Sequence, residues 1–126
     1  MDTPPQTLAR TTSPRGEVLL RRAERDGATV LELRVNGVFV MDDAETTSER
    51  ALASLALARC EAPRRVLVGG LGLGFTLDEL LRDDRVEQVR VVEIEPAVVE
   101  WMRDGTVAYG PALLADPRVE VVVADV

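Results

Sequence analysis

The sequence predicts an α/β chain in two parts: an N-terminal antiparallel β-meander, then a β-α-β-α-β run that builds a parallel sheet. Three observations predict it. First, Asp26-Gly27 and Asn36-Gly37 punctuate apolar runs between residues 17 and 41, and both dipeptides favour the positive φ angles of tight hairpin turns. Second, the later half alternates short apolar runs with helical stretches, an order that implies parallel strands joined by right-handed crossovers. Third, Gly69, Gly70, Gly72 and Gly74 fall within six consecutive residues at the first of those junctions.

Each element has its own warrant. The start, "MDTPPQTLARTTSPRG", is Pro- and Thr-rich and is expected to be a flexible arm over residues 1–15. The meander is expected over 16–45, from "EVLLRRAE", "TVLELRV" and "VFVM". In "TVLELRV", Leu31, Leu33 and Val35 face one way and Glu32 and Arg34 the other. Thr46 with Glu49 has capping-box spacing, and opens an Ala-rich helix. Its expected apolar face carries Leu52, Leu55, Ala56 and Arg59, and Pro63 stops it. "RRVLVGG" is a short buried strand. "TLDELLRD" is a helix with Leu77, Leu80 and Leu81 on one side. "VEQVRVVEIE" is a strand ended by Pro96, which also suits the first turn of a helix. That helix turns Val98, Val99, Trp101 and Met102 inward. "YGPALLADPR" is a connection with at most one helical turn, and "VEVVVADV" is the third strand.

Composition bounds the function. The chain has 126 residues, 46% of them hydrophobic and only 3% aromatic, so one modest aliphatic core is expected. The net charge of −7 argues against sequence-independent nucleic-acid binding, which needs a positive field. One cysteine, Cys60, excludes an intramolecular disulfide and suits a reducing, cytoplasmic setting. The chain holds no histidine. Cys60 therefore lacks a histidine base, Ser-His-Asp chemistry is excluded, and no metal site is expected. No apolar run approaches the roughly 20 residues of a membrane span, and the N-terminus has no apolar signal-peptide segment.

The glycines separate ligand classes. A glycine-rich turn between a parallel strand and a helix brings bare backbone to the carboxyl edge of the sheet, where ligands of open α/β sheets bind. The dinucleotide pattern Gly-x-Gly-x-x-Gly fails here: from Gly70 it meets Phe75, and from Gly69 it meets Leu71. What stands is Gly70-x-Gly72-x-Gly74, which also suits a tight turn with no ligand. Glu93 ends the second strand, where a carboxylate can accept hydrogen bonds from both ribose hydroxyls. Asp125 closes the third strand at the same edge, where it can accept from the exocyclic amine of adenine. Each is equally a strand-end charge or turn residue.

The glycine pattern resembles motif I of class I methyltransferase-like folds. The longer stretches "RGEVLLRRAERDGATVLELRVNGVFVMDD", "SERALASLALA", "RRVLVGGLGLGFTLDELLRD", "VRVVEIEPAVVEWMRD" and "DPRVEVVVADV" resemble spermidine synthase and its relatives over residues 16–126. The resemblance implies a helix plus the first half of a Rossmann sheet over 46–126. It implies a transferase that binds S-adenosylmethionine or its decarboxylated form, with Gly70, Gly72 and Gly74 lining the cofactor, Glu93 on its ribose and Asp125 on its adenine. An ordinary methyltransferase, and a non-catalytic remnant acting as a structural or interaction module, are the alternatives. Three departures stand out. Leu73 replaces an Asp of the family's loop. Ser48-Glu49-Arg50 replaces a Tyr-His-Glu stretch that helps hold the polyamine. The family's catalytic Asp lies on a fourth strand that follows Val126, so no catalytic residue is assigned. The first strand would then expose an edge along Arg65 to Gly69, and a homo-oligomer through that edge is expected.

Overall fold

The computed structural model describes residues 4–126. Met1–Glu45 and Thr46–Val126 form two compact units. The first is a four-stranded antiparallel sheet in the order β1-β2-β3-β4: β1 (Gln6–Ser13), β2 (Gly16–Arg25), β3 (Ala28–Val35) and β4 (Val38–Asp42). Its two expected turns form as read. Asp26 and Gly27 have φ of 51° and 80°, and Asn36 and Gly37 have 52° and 73°, the double left-handed geometry of the tight primed turns.

The N-terminus departs from expectation. Residues 6–13 of the expected arm form β1, which pairs with β2 from Gln6↔Arg22 to Ser13↔Gly16; residues 1–3 lie outside the described residues. "SPRG" is itself a turn signal between two extended runs, and β1 satisfies backbone groups that would leave β2 at the edge of the sheet. Asn36 joins two turns: its Oδ1 accepts from the Glu17 amide at 3.0 Å and its Nδ2 donates to the Arg15 carbonyl at 3.1 Å.

The meander has one charged face that is not solvated. Val18, Leu20 and Leu33 are buried on one side, while Glu32 and Asp42 are only 4% and 3% exposed on the other. Those two carboxylates sit opposite each other in register, an unfavourable arrangement by itself. Arg21, opposite Glu32 on β2, donates to Glu32, and Arg25 bridges Glu32 and Asp42, with 2.6 Å to Asp42. Burial pushes the Glu32 carboxyl up, but the Arg21 and Arg25 hydrogen bonds outweigh it and hold the group below its ordinary value.

The second unit orders α1 (Thr47–Ala58), β5 (Arg65–Gly69), α2 (Phe75–Leu81), β6 (Gln88–Glu93), α3 (Pro96–Arg103), α4 (Gly110–Leu114) and β7 (Val119–Val123). The strands form a parallel sheet in the order β5-β6-β7, with Val68, Val91 and Val121 in register. Fold class is thus as the sequence predicts: a meander followed by the first half of a Rossmann sheet. Leu77 and Leu80 of α2, Val89 and Val91 of β6, and Val98, Val99, Trp101 and Met102 of α3 are buried.

Two expectations for α1 are corrected. Thr46 occupies the N-cap position but makes no side-chain capping bond. The buried residues are Ala53 and Leu57, while Leu52 and Leu55 are 66% and 56% exposed. The reason lies in what α1 packs on. It meets α2, with polar links on the same side as the buried Ala53 and Leu57: Arg50 pairs with Asp78 at 2.9 Å and Glu79 at 3.4 Å, and the Thr76 hydroxyl donates to the Glu49 carbonyl at 2.9 Å. The Arg50-Ala53-Leu57 stripe thus faces α2, and the Leu52-Leu55 stripe lies outside.

Candidate functional site

The three strands of the parallel sheet end at one edge, and the chain turns there into α2 and α3. Val68 and Gly69 carry β5 to the bend. Gly70, Gly72 and Gly74 then adopt φ of 102°, 53° and 88°, a region L side chains rarely enter. The expectation of a sharp backbone turn therefore holds at all three. The space around them differs. Nothing lies within 4 Å of where a Cβ on Gly70 would stand, whereas a Cβ on Gly74 would come within 2.6 Å of Leu113 Cδ2 and 3.0 Å of Met102 Cε. Gly70 leaves room for a close approach; at Gly74 the ends of the Leu113 and Met102 side chains would have to shift, and its φ is the stronger restriction.

Glu93 is 7% exposed and reaches back to the bend. Its Oε1 accepts the Leu71 amide at 2.8 Å and the Gly72 amide at 3.3 Å. Its Oε2 accepts the amide of Glu95, which precedes α3, at 2.9 Å. A carboxylate offers about four lone-pair positions, so these three donors leave about one. Two further bend amides are also occupied: Gly70 N–H donates to the Val92 carbonyl at 2.8 Å, and Gly74 N–H to the Leu71 carbonyl at 2.9 Å. The bend thus spends amides internally that an anion would need.

Asp125 is exposed. The Ala124 amide donates to the Glu93 carbonyl at 3.0 Å, so the chain just before Asp125 is tied beside the tip of β6. Val126 lies across the sheet edge, its Cγ2 3.5 Å from where a Gly69 Cβ would be. Glu93, Gly70 and Gly72 are therefore brought together by direct bonding or adjacency, and Asp125 stands at the same edge without a hydrogen bond to them.

Composition and spacing miss two contributors. Glu95 is 6% exposed and supplies the third donor to Glu93. Tyr109 donates its hydroxyl to the Leu73 carbonyl at 2.7 Å. The segment read as a connection lies against the bend because Gly110 lets α4 touch α3 directly: a Cβ there would be 2.2 Å from the Met102 carbonyl oxygen. The "YGP" tripeptide is the only local trace. A cavity of about 460 Å³ borders the bend at Gly74 and is lined also by Arg50, Phe75, Asp78, Tyr109 and Leu113; Glu93 and Asp125 are not part of it. Among the described residues no group of three or more His, Cys, Asp or Glu side chains is placed to hold a metal ion. No helix there is long and apolar enough to cross a membrane.

A family model described as the spermine/spermidine synthase domain matches residues 45–126. The chain belongs to the spermine/spermidine synthase family. Within that family it is 49% identical over 63 residues to a polyamine aminopropyltransferase of Synechococcus sp. (strain JA-3-3Ab), covering 50% of this chain and 20% of that protein. It is 39% identical over 74 residues to putrescine N-methyltransferase 3 of Nicotiana tabacum, covering 59% and 19%. A crystal structure of spermidine synthase from Thermotoga maritima superimposes with a TM-score of 0.81 at 25% identity, covering 95% of this chain and 42% of that one. A spermidine synthase bound to the transition-state analogue AdoDATO gives 0.80 at 25% identity, covering 94% and 40%. The chain thus spans about a fifth of these curated relatives and about two fifths of these structures.

Proposed function

We propose that this chain is the nucleoside-sulfonium-binding half of a spermine/spermidine synthase-family transferase, taking decarboxylated S-adenosylmethionine or S-adenosylmethionine. The observation that carries the reading is the buried Glu93 carboxylate held against the bend by Leu71 and Gly72 amides. A dinucleotide or other phosphate ligand needs free amides at such a bend. Here those amides serve a carboxylate, so the local charge is negative and suits a cation. The remaining acceptor position on Glu93 takes a ribose hydroxyl. A second hydroxyl displaces the Gly72 amide, the longest of the three bonds. Open space over Gly70 admits the sugar, and exposed Asp125 accepts from the adenine amine.

The sulfonium, when bound, supplies a carbon activated for attack by an amine. What these residues do is bind and orient it. No residue of 1–126 is assigned as the base that receives the amine's proton. The relatives include, by name, both an aminopropyltransferase and an N-methyltransferase, and the choice between those reactions is the choice of sulfonium. Arg50 does not settle the acceptor's charge against a polyamine, because Asp78 and Glu79 together outweigh it.

Titration calorimetry with methylthioadenosine, decarboxylated S-adenosylmethionine and S-adenosylmethionine tests the reading. Binding is expected, weakened by roughly tenfold in Asp125→Ala, which removes the charged acceptor. Stronger binding of the decarboxylated form favours aminopropyl transfer; stronger binding of S-adenosylmethionine favours methyl transfer. No binding of any of the three overturns the reading. We further propose a cytoplasmic setting, on the single Cys60, and self-association through β5, which pairs only with β6 among the described residues.

A further inference from the structure

We infer that Tyr109 is a positioning residue whose hydroxyl locks the glycine bend from behind and so sets affinity at the site. The ligand named in this inference rests on the reading above; the locking does not. The Leu73–Gly74 peptide is held at both ends. Its carbonyl accepts the Tyr109 hydroxyl at 2.7 Å, and its N–H donates to the Leu71 carbonyl at 2.9 Å. The Tyr109 ring also meets Phe75, the first residue of α2, with centroids 5.8 Å apart and planes tilted by 44°.

Tyr109 is itself held in place. Gly110 is buried against the Met102 carbonyl, and Leu113, one turn on, fills the space beside Gly74. The bend therefore has two side chains that hydrogen-bond to it from distant sequence. Glu93 holds Leu71 and Gly72 from the strand side, and Tyr109 holds Leu73 from the helix side. Glycines on either side of Leu73 give this backbone unusual freedom to rotate a peptide plane. Without the hydroxyl, the Leu73–Gly74 peptide loses one tether and turns more readily, and ligand binding must then order a looser bend.

Tyr109→Phe removes the hydroxyl and keeps the ring. In the ligand-free 126-residue chain, amide hydrogen exchange at Leu71, Gly72 and Gly74 is expected to accelerate severalfold, well beyond any change on β6, with a fall of no more than a few degrees in the thermal midpoint. Methylthioadenosine affinity is expected to fall about fivefold, the loss of one ordinary hydrogen bond's restraint. Unchanged exchange at the bend overturns the inference. So does acceleration across the whole unit, or failure of the variant to fold, since either makes the hydroxyl a general support. Failure of the unmutated chain to bind methylthioadenosine overturns the reading of the ligand instead, and the exchange comparison still decides the role of Tyr109.

Discussion

The Glu93 carboxylate accepts the Leu71 amide at 2.8 Å across 22 positions of sequence. One bond thereby joins the tip of β6 to the bend that leaves β5, and it fixes the geometry on which the proposed ligand site depends.

Glu93→Gln preserves shape but offers one acceptor oxygen where two now take three N–H groups, and it adds a buried donor. Leaving a buried donor unsatisfied costs about 1–3 kcal/mol. A fall in the unit's thermal midpoint of roughly 5–10 °C is expected, readable by calorimetry. No change would mean that the carboxylate is not holding the bend.

Glycine substitutions should rank by what a Cβ meets. Gly70→Ala costs only left-handed strain, about 1–2 kcal/mol, because its surroundings are open. Gly74→Ala adds a clash with Leu113, and Gly110→Ala forces a methyl into the Met102 backbone. Denaturant midpoints should fall in that order, with Gly110→Ala lowest. A Gly70→Ala chain of near-native stability that has lost methylthioadenosine affinity would identify Gly70 as the close-approach position.

The meander should depend on Arg25. It is 43% exposed yet faces two carboxylates that are almost fully buried. Arg25→Met leaves those charges undercompensated, at about 2 kcal/mol after discounting for the solvent around the guanidinium. The pH dependence has a definite sign. Glu32 and Asp42 are both held below their ordinary values in the folded chain. Their stabilisation is therefore complete above the usual carboxylate range near pH 4 and lost as pH falls through the lowered folded values. Arg25→Met should flatten that acid-side loss, as measured by urea midpoints between pH 7 and pH 3.

Self-association should run through β5. Leu67 is 64% exposed on a five-residue edge strand, and such edges recruit other strands. Light scattering is expected to show a mass that rises with concentration, and Leu67→Lys should abolish the rise. A monomer at every concentration refutes this.

Much of the fold was legible because it depends on local chemistry. Asp-Gly and Asn-Gly need the left-handed φ that hairpin turns use, so residues 26–27 and 36–37 announced the meander. Pro96, and the apolar face from Val98 to Met102, announced α3. The site was legible as residue types at strand ends. What sequence did not disclose were interactions whose energy comes from partners far along the chain. Glu32 reads only as a charge on the face opposite Leu31, Leu33 and Val35 until Arg21, Arg25 and Asp42 close around it. Leu52 and Leu55 read as an inward face until α1 packs on α2 through Arg50, Ala53 and Leu57 instead.

The amino-acid order alone determined the alternation of strands and helices, the two hairpins, and three glycines with two acids at one sheet edge, because each follows from backbone sterics or side-chain periodicity. Tertiary structure alone decided that Gly70 borders open space while Gly74 is filled by Leu113, that the bend amides serve Glu93, and that Tyr109 stands behind Leu73. Those outcomes depend on which distant groups arrive within hydrogen-bonding or van der Waals reach, and only the packed chain sets those distances.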